Sequence, residues 1–222
     1  MGHVVLLGDS IFDNIAYVHP DPPVIEQLRR LLPSGWVATL LAVDGAATAD
    51  VHEQLELLNQ DATHLCLSSG GNDALNASGV LAREVRTVAE AADVLAKEQA
   101  RFRDAYEGLL KVLLHRRKPL IVCTVYDSIP GLGNAERTAL AVFNEVILRS
   151  AFAAPLAVID LRLVCDEAGD YSERSPIEPS VRGGAKIVRA ISDVVSHHDF
   201  TVRGATVYGR LPGRGPFPDQ RN

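Results

Sequence analysis

The segment His3-Val4-Val5-Leu6-Leu7-Gly8-Asp9-Ser10 is a continuous apolar run that stops at a glycine, an acid and a hydroxyl. A strand with one wet face alternates apolar and polar residues; an unbroken block is the pattern of a strand covered on both faces. Four further blocks of this kind follow, Trp36–Val43, Thr63–Ser69, Pro119–Tyr126 and Pro155–Leu161. Helical patterns lie between and after them: Val24–Leu32, Ala46–Asn59, a long stretch from Ser78 to Lys118, Asn134–Phe152 and Ser180–Ser196. Strands that alternate with helices predict an α/β protein of three layers, a doubly wound, five-stranded parallel sheet with helices on both faces.

The stretch Ser78–Lys118 is too long for one globular helix, so a break is expected near Thr87–Asp93. In its second half Phe102, Tyr106, Leu109, Leu110, Leu113 and Leu114 share one stripe at helical spacing. The cations His115-Arg116-Arg117-Lys118 before Pro119 mark a helix C-terminus, where the macrodipole favours positive charge. Beyond His198 the chain turns to glycine, proline and scattered arginine. Residues 1–198 are therefore expected to form one domain and 199–222 a flexible tail, within which Thr201–Tyr208 offers an optional edge strand.

Composition narrows the function. The chain has 222 residues, 47% of them apolar, which suits a single globular domain. Its aromatic residues are few (Trp 1, Tyr 5, Phe 6), which argues against a surface that stacks bases or sugars. The formal charge of -6 has the wrong sign for neutralising a phosphate backbone, so no nucleic-acid partner is expected. Cys66, Cys123 and Cys165 each sit in an apolar run, without zinc-ligand spacing, and read as buried free thiols of a reducing compartment. The opening residues lack a positive n-region and a signal-length apolar run, and no stretch of about 18 apolar residues occurs. The expectation is a soluble, cytoplasmic protein without membrane insertion; its oligomeric state is not legible.

In a doubly wound sheet the ligand crevice lies outside the carboxyl ends of the strands. The first strand ends at Gly8-Asp9-Ser10, where Ser10 is either a nucleophile or a helix N-cap with Asp13 as capping-box partner. The second ends at Val43-Asp44-Gly45-Ala46-Ala47-Thr48, where Gly45 either presents its backbone N–H to a ligand or makes the turn. The third ends at Ser69-Gly70-Gly71-Asn72-Asp73, an ordinary turn composition that also offers the Asn72 amide donors. Taken together they supply a hydroxyl nucleophile and three neutral donors, from Ser10 N–H, Gly45 N–H and the Asn72 side chain. That is what a tetrahedral oxyanion needs.

On these blocks, Ser10 in GDSIFDN, Gly45 in VDGAAT and Asn72 in GGND, the chain resembles the SGNH/GDSL hydrolase family of esterases and lipases. The resemblance continues through FNEVIL around Asn144 and VIDLR at the fifth strand to IEPSVRGGAKI, and covers about residues 3–196. It implies a flavodoxin-like sheet of order 2-1-3-4-5 and no cofactor or metal. It departs in the last block, where the family reads Asp-x-x-His-Pro before the final helix, with His as general base and Asp as its orienter. Here Ser175 stands at the Asp position and Glu178 at the His position. The two changes are consistent with each other, because an ionised Glu has no second N–H for an Asp to hold, and a neighbouring carboxylate would repel it.

Glu178 is then either a replacement base or an exposed acid that favours the dipole of the last helix, with Ser180 as its cap. An ordinary Glu titrates near ~4.3 against ~6.5 for His, which costs proton abstraction roughly 3 kcal/mol unless burial raises the Glu. Of the seven histidines, only His19 and His52 fall on loops or helices at the right edge of the sheet, and both read as surface residues. The function expected is hydrolysis of small-acyl carboxylic esters through a Ser10 acyl-enzyme, with Gly45 and Asn72 at the oxyanion and Glu178 as base. The alternative is a non-catalytic ligand-binding or scaffold protein that lost the catalytic His. A phosphate site after Gly8 is electrostatically poor beside Asp9 and Asp13.

Overall fold

A computed structural model describes residues 1–209 of the chain. Six parallel strands form one sheet in the order β2-β1-β3-β4-β5-β6: β1 His3–Gly8, β2 Val37–Leu40, β3 His64–Ser68, β4 Leu120–Cys123, β5 Ala157–Ile159 and β6 Thr206–Tyr208. β1 is buried along its whole length, and its side chains alternate between two cores as the pleat dictates. Val4 and Leu6 pack with Ile25, Leu28, Ile187 and Ile191 on one face. Val5 and Leu7 pack with Leu109, Leu113, Val146 and Ile147 on the other. The unbroken apolar block of the sequence is thus the record of two covered faces.

The first layer contains α2 (Val24–Leu31) against α8 (Val181–His197), preceded by the single turn α1 (Ile15–Val18). The second contains α3 (Val51–Glu56), α4 (Gly71–Ala77), and α5 (Val88–His115) packed on α6 (Asn134–Ala153); the short α7 (Leu161–Val164) follows β5. A 3₁₀ turn at Ser78–Ala82 precedes α5, which starts where Thr87 Oγ1 accepts from Glu90 N at 3.1 Å. The break expected at Thr87–Asp93 is shifted: α5 runs unbroken through 88–93, and the interruption lies just before it, at 83–87. Ser180 likewise caps α8, its Oγ accepting from Gly183 N at 3.1 Å.

Two expectations need correction. The sheet has six strands rather than five, because Thr206–Tyr208 pairs in parallel register with Ala157–Ile159. Residues 199–209 therefore do not begin a free tail, and the sheet continues past the expected boundary at 198; the rest of that segment, 210–222, lies outside the described residues. The turns α1, α4 and α7 were not anticipated, being too short to show a period.

Candidate active site

β1 ends at a forced glycine. Gly8 has φ +120°, and a Cβ placed on it would lie 1.6 Å from the Ser68 carbonyl oxygen, so β1 and β3 meet here closer than any side chain permits. The next residue turns inward: Asp9 Oδ1 accepts from Ser68 Oγ (3.0 Å) and from Ile11 N (3.2 Å), while its carbonyl takes Phe12 N and Asp13 N. Asp9 thus closes a local turn through Ile11 N. No helix starts at Ser10, and Asp13, the expected capping-box partner, uses Oδ2 to accept from Asp44 N at 3.0 Å. The Ser10 hydroxyl is left for other work.

Glu178 reaches Ser10 from the opposite end of the chain. Its loop is pinned through the backbone: Glu178 N donates to Ser175 O (3.0 Å), and Ser172 N donates to Glu178 O (2.8 Å). Asn14 Nδ2 donates to Pro179 O, and Tyr126 OH donates to Ile177 O at 2.7 Å. Ser175 therefore closes the turn with its carbonyl. The exposed-acid reading of Glu178 is corrected: the residue is only 5% exposed, and its Oε2 is buried without a hydrogen-bond partner. Burial raises the carboxyl to about 7, with Asp9 and Asp44 adding repulsion and the Ser10 hydroxyl pulling it back down. Asp9 is raised to about 7 as well, by burial first, eased by Ser68 and Ile11 N–H and reinforced by Asp73. Two buried carboxyls thus flank the serine, and Asp9 disfavours the ionisation of Glu178.

Asn72, in the first turn of α4, donates Nδ2 to Ala46 O at 2.9 Å, which fastens the loop after β2 to the loop after β3. Asp73 strengthens the tie by accepting from Thr48 N (3.0 Å) and Thr48 Oγ1 (2.9 Å), and Thr48 Oγ1 meets Ser69 Oγ at 2.7 Å. Ser10, Asn72, Asp9 and Glu178 line one pocket. Gly45, exposed at φ +80°, is not among the lining residues; it borders the site through its neighbour Ala46.

Residues whose part the sequence did not disclose are Asp9, Thr48 and Asp73, together with Asn144. The Asn144 amide clamps Val125, accepting from its N–H and donating to its carbonyl, both at 2.8 Å. The sequence signal for it was the FNEVIL block, without an assigned role. None of the seven histidines lines the pocket, and no cluster of His, Cys, Asp or Glu suited to a metal occurs among the described residues. All three cysteines are free and buried.

A buried serine at the carboxyl end of the first strand thus shares one pocket with a carboxyl and an asparagine amide, at the edge where doubly wound sheets place their ligands. The chain belongs to the GDSL-like lipase/acylhydrolase family, whose model matches residues 6–186. Its fold is shared with a lipase from a goat rumen metagenome (TM-score 0.66, 18% identity, 85% of this chain and 95% of that one). It is similar too to an extracellular lipase from Streptomyces rimosus (TM-score 0.62, 17% identity, 88% and 99%). The psychrotrophic esterase EstA from Pseudoalteromonas sp. aligns with TM-score 0.62 and 14% identity over 88% and 97%. Among curated proteins none matches the chain. Family membership makes this an ester-bond hydrolase fold in the lipolytic class, and no helix among the described residues is long and apolar enough to cross a membrane.

Proposed function

We propose that the chain hydrolyses carboxylic esters through an acyl-enzyme on Ser10, with Glu178 as the general base in place of histidine. The observation that carries this reading is the burial of Glu178 beside Ser10, one carboxyl oxygen unpartnered and the group raised to about 7. A base near ~6.5 is what histidine supplies, so the roughly 3 kcal/mol deficit of an ordinary Glu largely disappears.

The Ser10 hydroxyl gives its proton to the Glu178 carboxylate as Oγ bonds to the ester carbonyl carbon, and the carbonyl π electrons move to oxygen. In this reading Ser10 N–H and the Asn72 amide hydrogen not used by Ala46 O take that oxyanion, and Gly45, outside the pocket lining, contributes through the loop that Asn72 holds. The C–O bond to the alcohol then breaks, and Glu178 returns the proton to the leaving alkoxide. Water repeats the cycle against the acyl-enzyme, with the proton again passing through Glu178 to the released Ser10 oxygen.

The test is ester hydrolysis by the wild type, Ser10→Ala and Glu178→Gln, with the spontaneous rate subtracted. Loss of turnover with Ser10→Ala and a fall of at least a hundredfold with Glu178→Gln is expected. Equality of all three proteins with the spontaneous rate favours the ligand-binding alternative.

A further inference from the structure

The pocket that begins at Ser10 runs away from the strand ends into the helix layer. Its walls come from Leu75 and Val80 after β3, Leu95 on α5, Val125 and Ile129 after β4, and Leu140 on α6. It holds about 140 Å³. A cavity of about 150 Å³ takes a molecule the size of benzene, so there is room for about six non-hydrogen atoms. An acetyl group would leave about half of it empty.

The lining contains no Lys, Arg or His, but it does contain four carboxyl groups, Asp9, Glu178, Glu98 and Glu136. The other side of the serine differs. Glu178 is repelled there by Asp44, which is exposed and accepts from Tyr17 OH at 2.8 Å, and neither Asp44 nor Tyr17 lines the pocket. The leaving alcohol must collect its proton from Glu178 and depart into water, which fits that polar, open side. The acyl chain, still bonded to Ser10, is left with the apolar side.

We infer that the esterase reading, on which this rests, applies to esters of neutral, unbranched acyl chains of about four to six carbons, with anionic chain ends rejected. This departs from the acetyl-sized expectation of the sequence. Each methylene buried is worth about three- to fourfold in binding, so about a hundredfold is available between acetyl and hexanoyl. A carboxylate at the chain end would have to be desolvated against the apolar walls near Glu98 and Glu136, with no cation in the lining and Arg101 already bonded to Glu98.

The test compares kcat/KM for methyl hexanoate, methyl acetate, hexyl acetate and the monomethyl ester of hexanedioic acid. Methyl hexanoate is expected to exceed each of the other three by at least thirtyfold. Ala139 lines the pocket from α6, and Ala139→Phe is expected to lower the hexanoyl-to-acetyl ratio at least tenfold. A flat profile, a preference for hexyl acetate, or equal use of the hexanedioate ester overturns the assignment. If no ester is turned over in a Ser10-dependent way, the esterase reading fails, and calorimetric titration of the wild type decides the pocket by itself. Saturable binding of methyl hexanoate but not methyl acetate supports the pocket's assignment, and absence of binding refutes it.

Discussion

Replacing Glu178 by Gln should remove activity and at the same time make the protein more stable at neutral and alkaline pH. The folded protein holds the Glu178 carboxyl at about 7 against an ordinary 4.5, so folding binds its proton more tightly than the unfolded chain does. The sign follows. Below pH ~4.5 both states carry the proton and the group costs nothing; between ~4.5 and ~7 the unfolded chain ionises first and stability falls; above ~7 the full penalty applies. At about 1.4 kcal/mol per unit, a rise of ~2.5 units amounts to roughly 3 kcal/mol. Gln never ionises and nearly matches Glu in volume, and the Oε2 position it fills has no hydrogen bond to lose. Glu178→Gln is therefore expected to gain up to about 3 kcal/mol at pH 8, about 6–12 °C in Tm for a domain of this size, with the gain falling below about 1 kcal/mol at pH 5. Hydrolysis should fall by about 10²–10⁴ over the same pH range. Urea unfolding of both proteins at pH 5 and pH 8 measures the first effect. A variant less stable than the wild type at pH 8, or a difference that does not change with pH, would refute the reasoning.

Three other substitutions probe the surroundings of the serine. Asp9→Asn keeps an acceptor for Ser68 and Ile11 but removes the charge that opposes ionisation of Glu178, so the acid limb of the kcat/KM profile, expected at about 7 in the wild type, should move to lower pH. Asn72→Ala removes the proposed oxyanion donor and the tie to Ala46; kcat should fall about 10²–10³ with a smaller change in KM, as read from saturation kinetics. Asn144→Ala strips both backbone groups of Val125 of their buried partners and should cost about 2–4 kcal/mol in urea unfolding, with KM rising because Val125 lines the pocket.

Much of the fold could be read from the chain because its strands are buried on both faces. The blocks around Val4–Leu7, Leu65–Leu67 and Ile121–Val122 stay apolar at every position, which no exposed strand does. Thr206–Tyr208 carries no such mark: it is a three-residue edge strand whose Val207 is exposed, and its pairing with β5 is a tertiary fact. The positions of Ser10, Asn72 and Glu178 could be anticipated from the strand ends and the family's blocks. The state of Glu178 could not, since its burial depends on packing between segments some 160 residues apart, as in the bond from Asn14 to Pro179. Asp9 was passed over for a related reason. Its neighbours in sequence suggest a cap on Ser10, whereas its carboxyl is claimed by Ser68 across the sheet. Gly45 is the candidate whose contribution local sequence describes least, because its N–H depends on how the exposed loop after β2 sits over the serine.

A serine hydroxyl with a base beside it is the group a phosphorus electrophile modifies covalently, which makes such a reagent the natural label for Ser10. The most direct measurement of the central claim is intact-mass and peptide mapping of the protein after exposure to a fluorophosphonate at pH 8, in the wild type, Ser10→Ala and Glu178→Gln. One adduct on Ser10 in the wild type, none in Ser10→Ala and a rate at least a hundredfold slower in Glu178→Gln is the predicted result. An unlabelled Ser10 in the wild type, or labelling that proceeds equally fast without the Glu178 carboxyl, would contradict it.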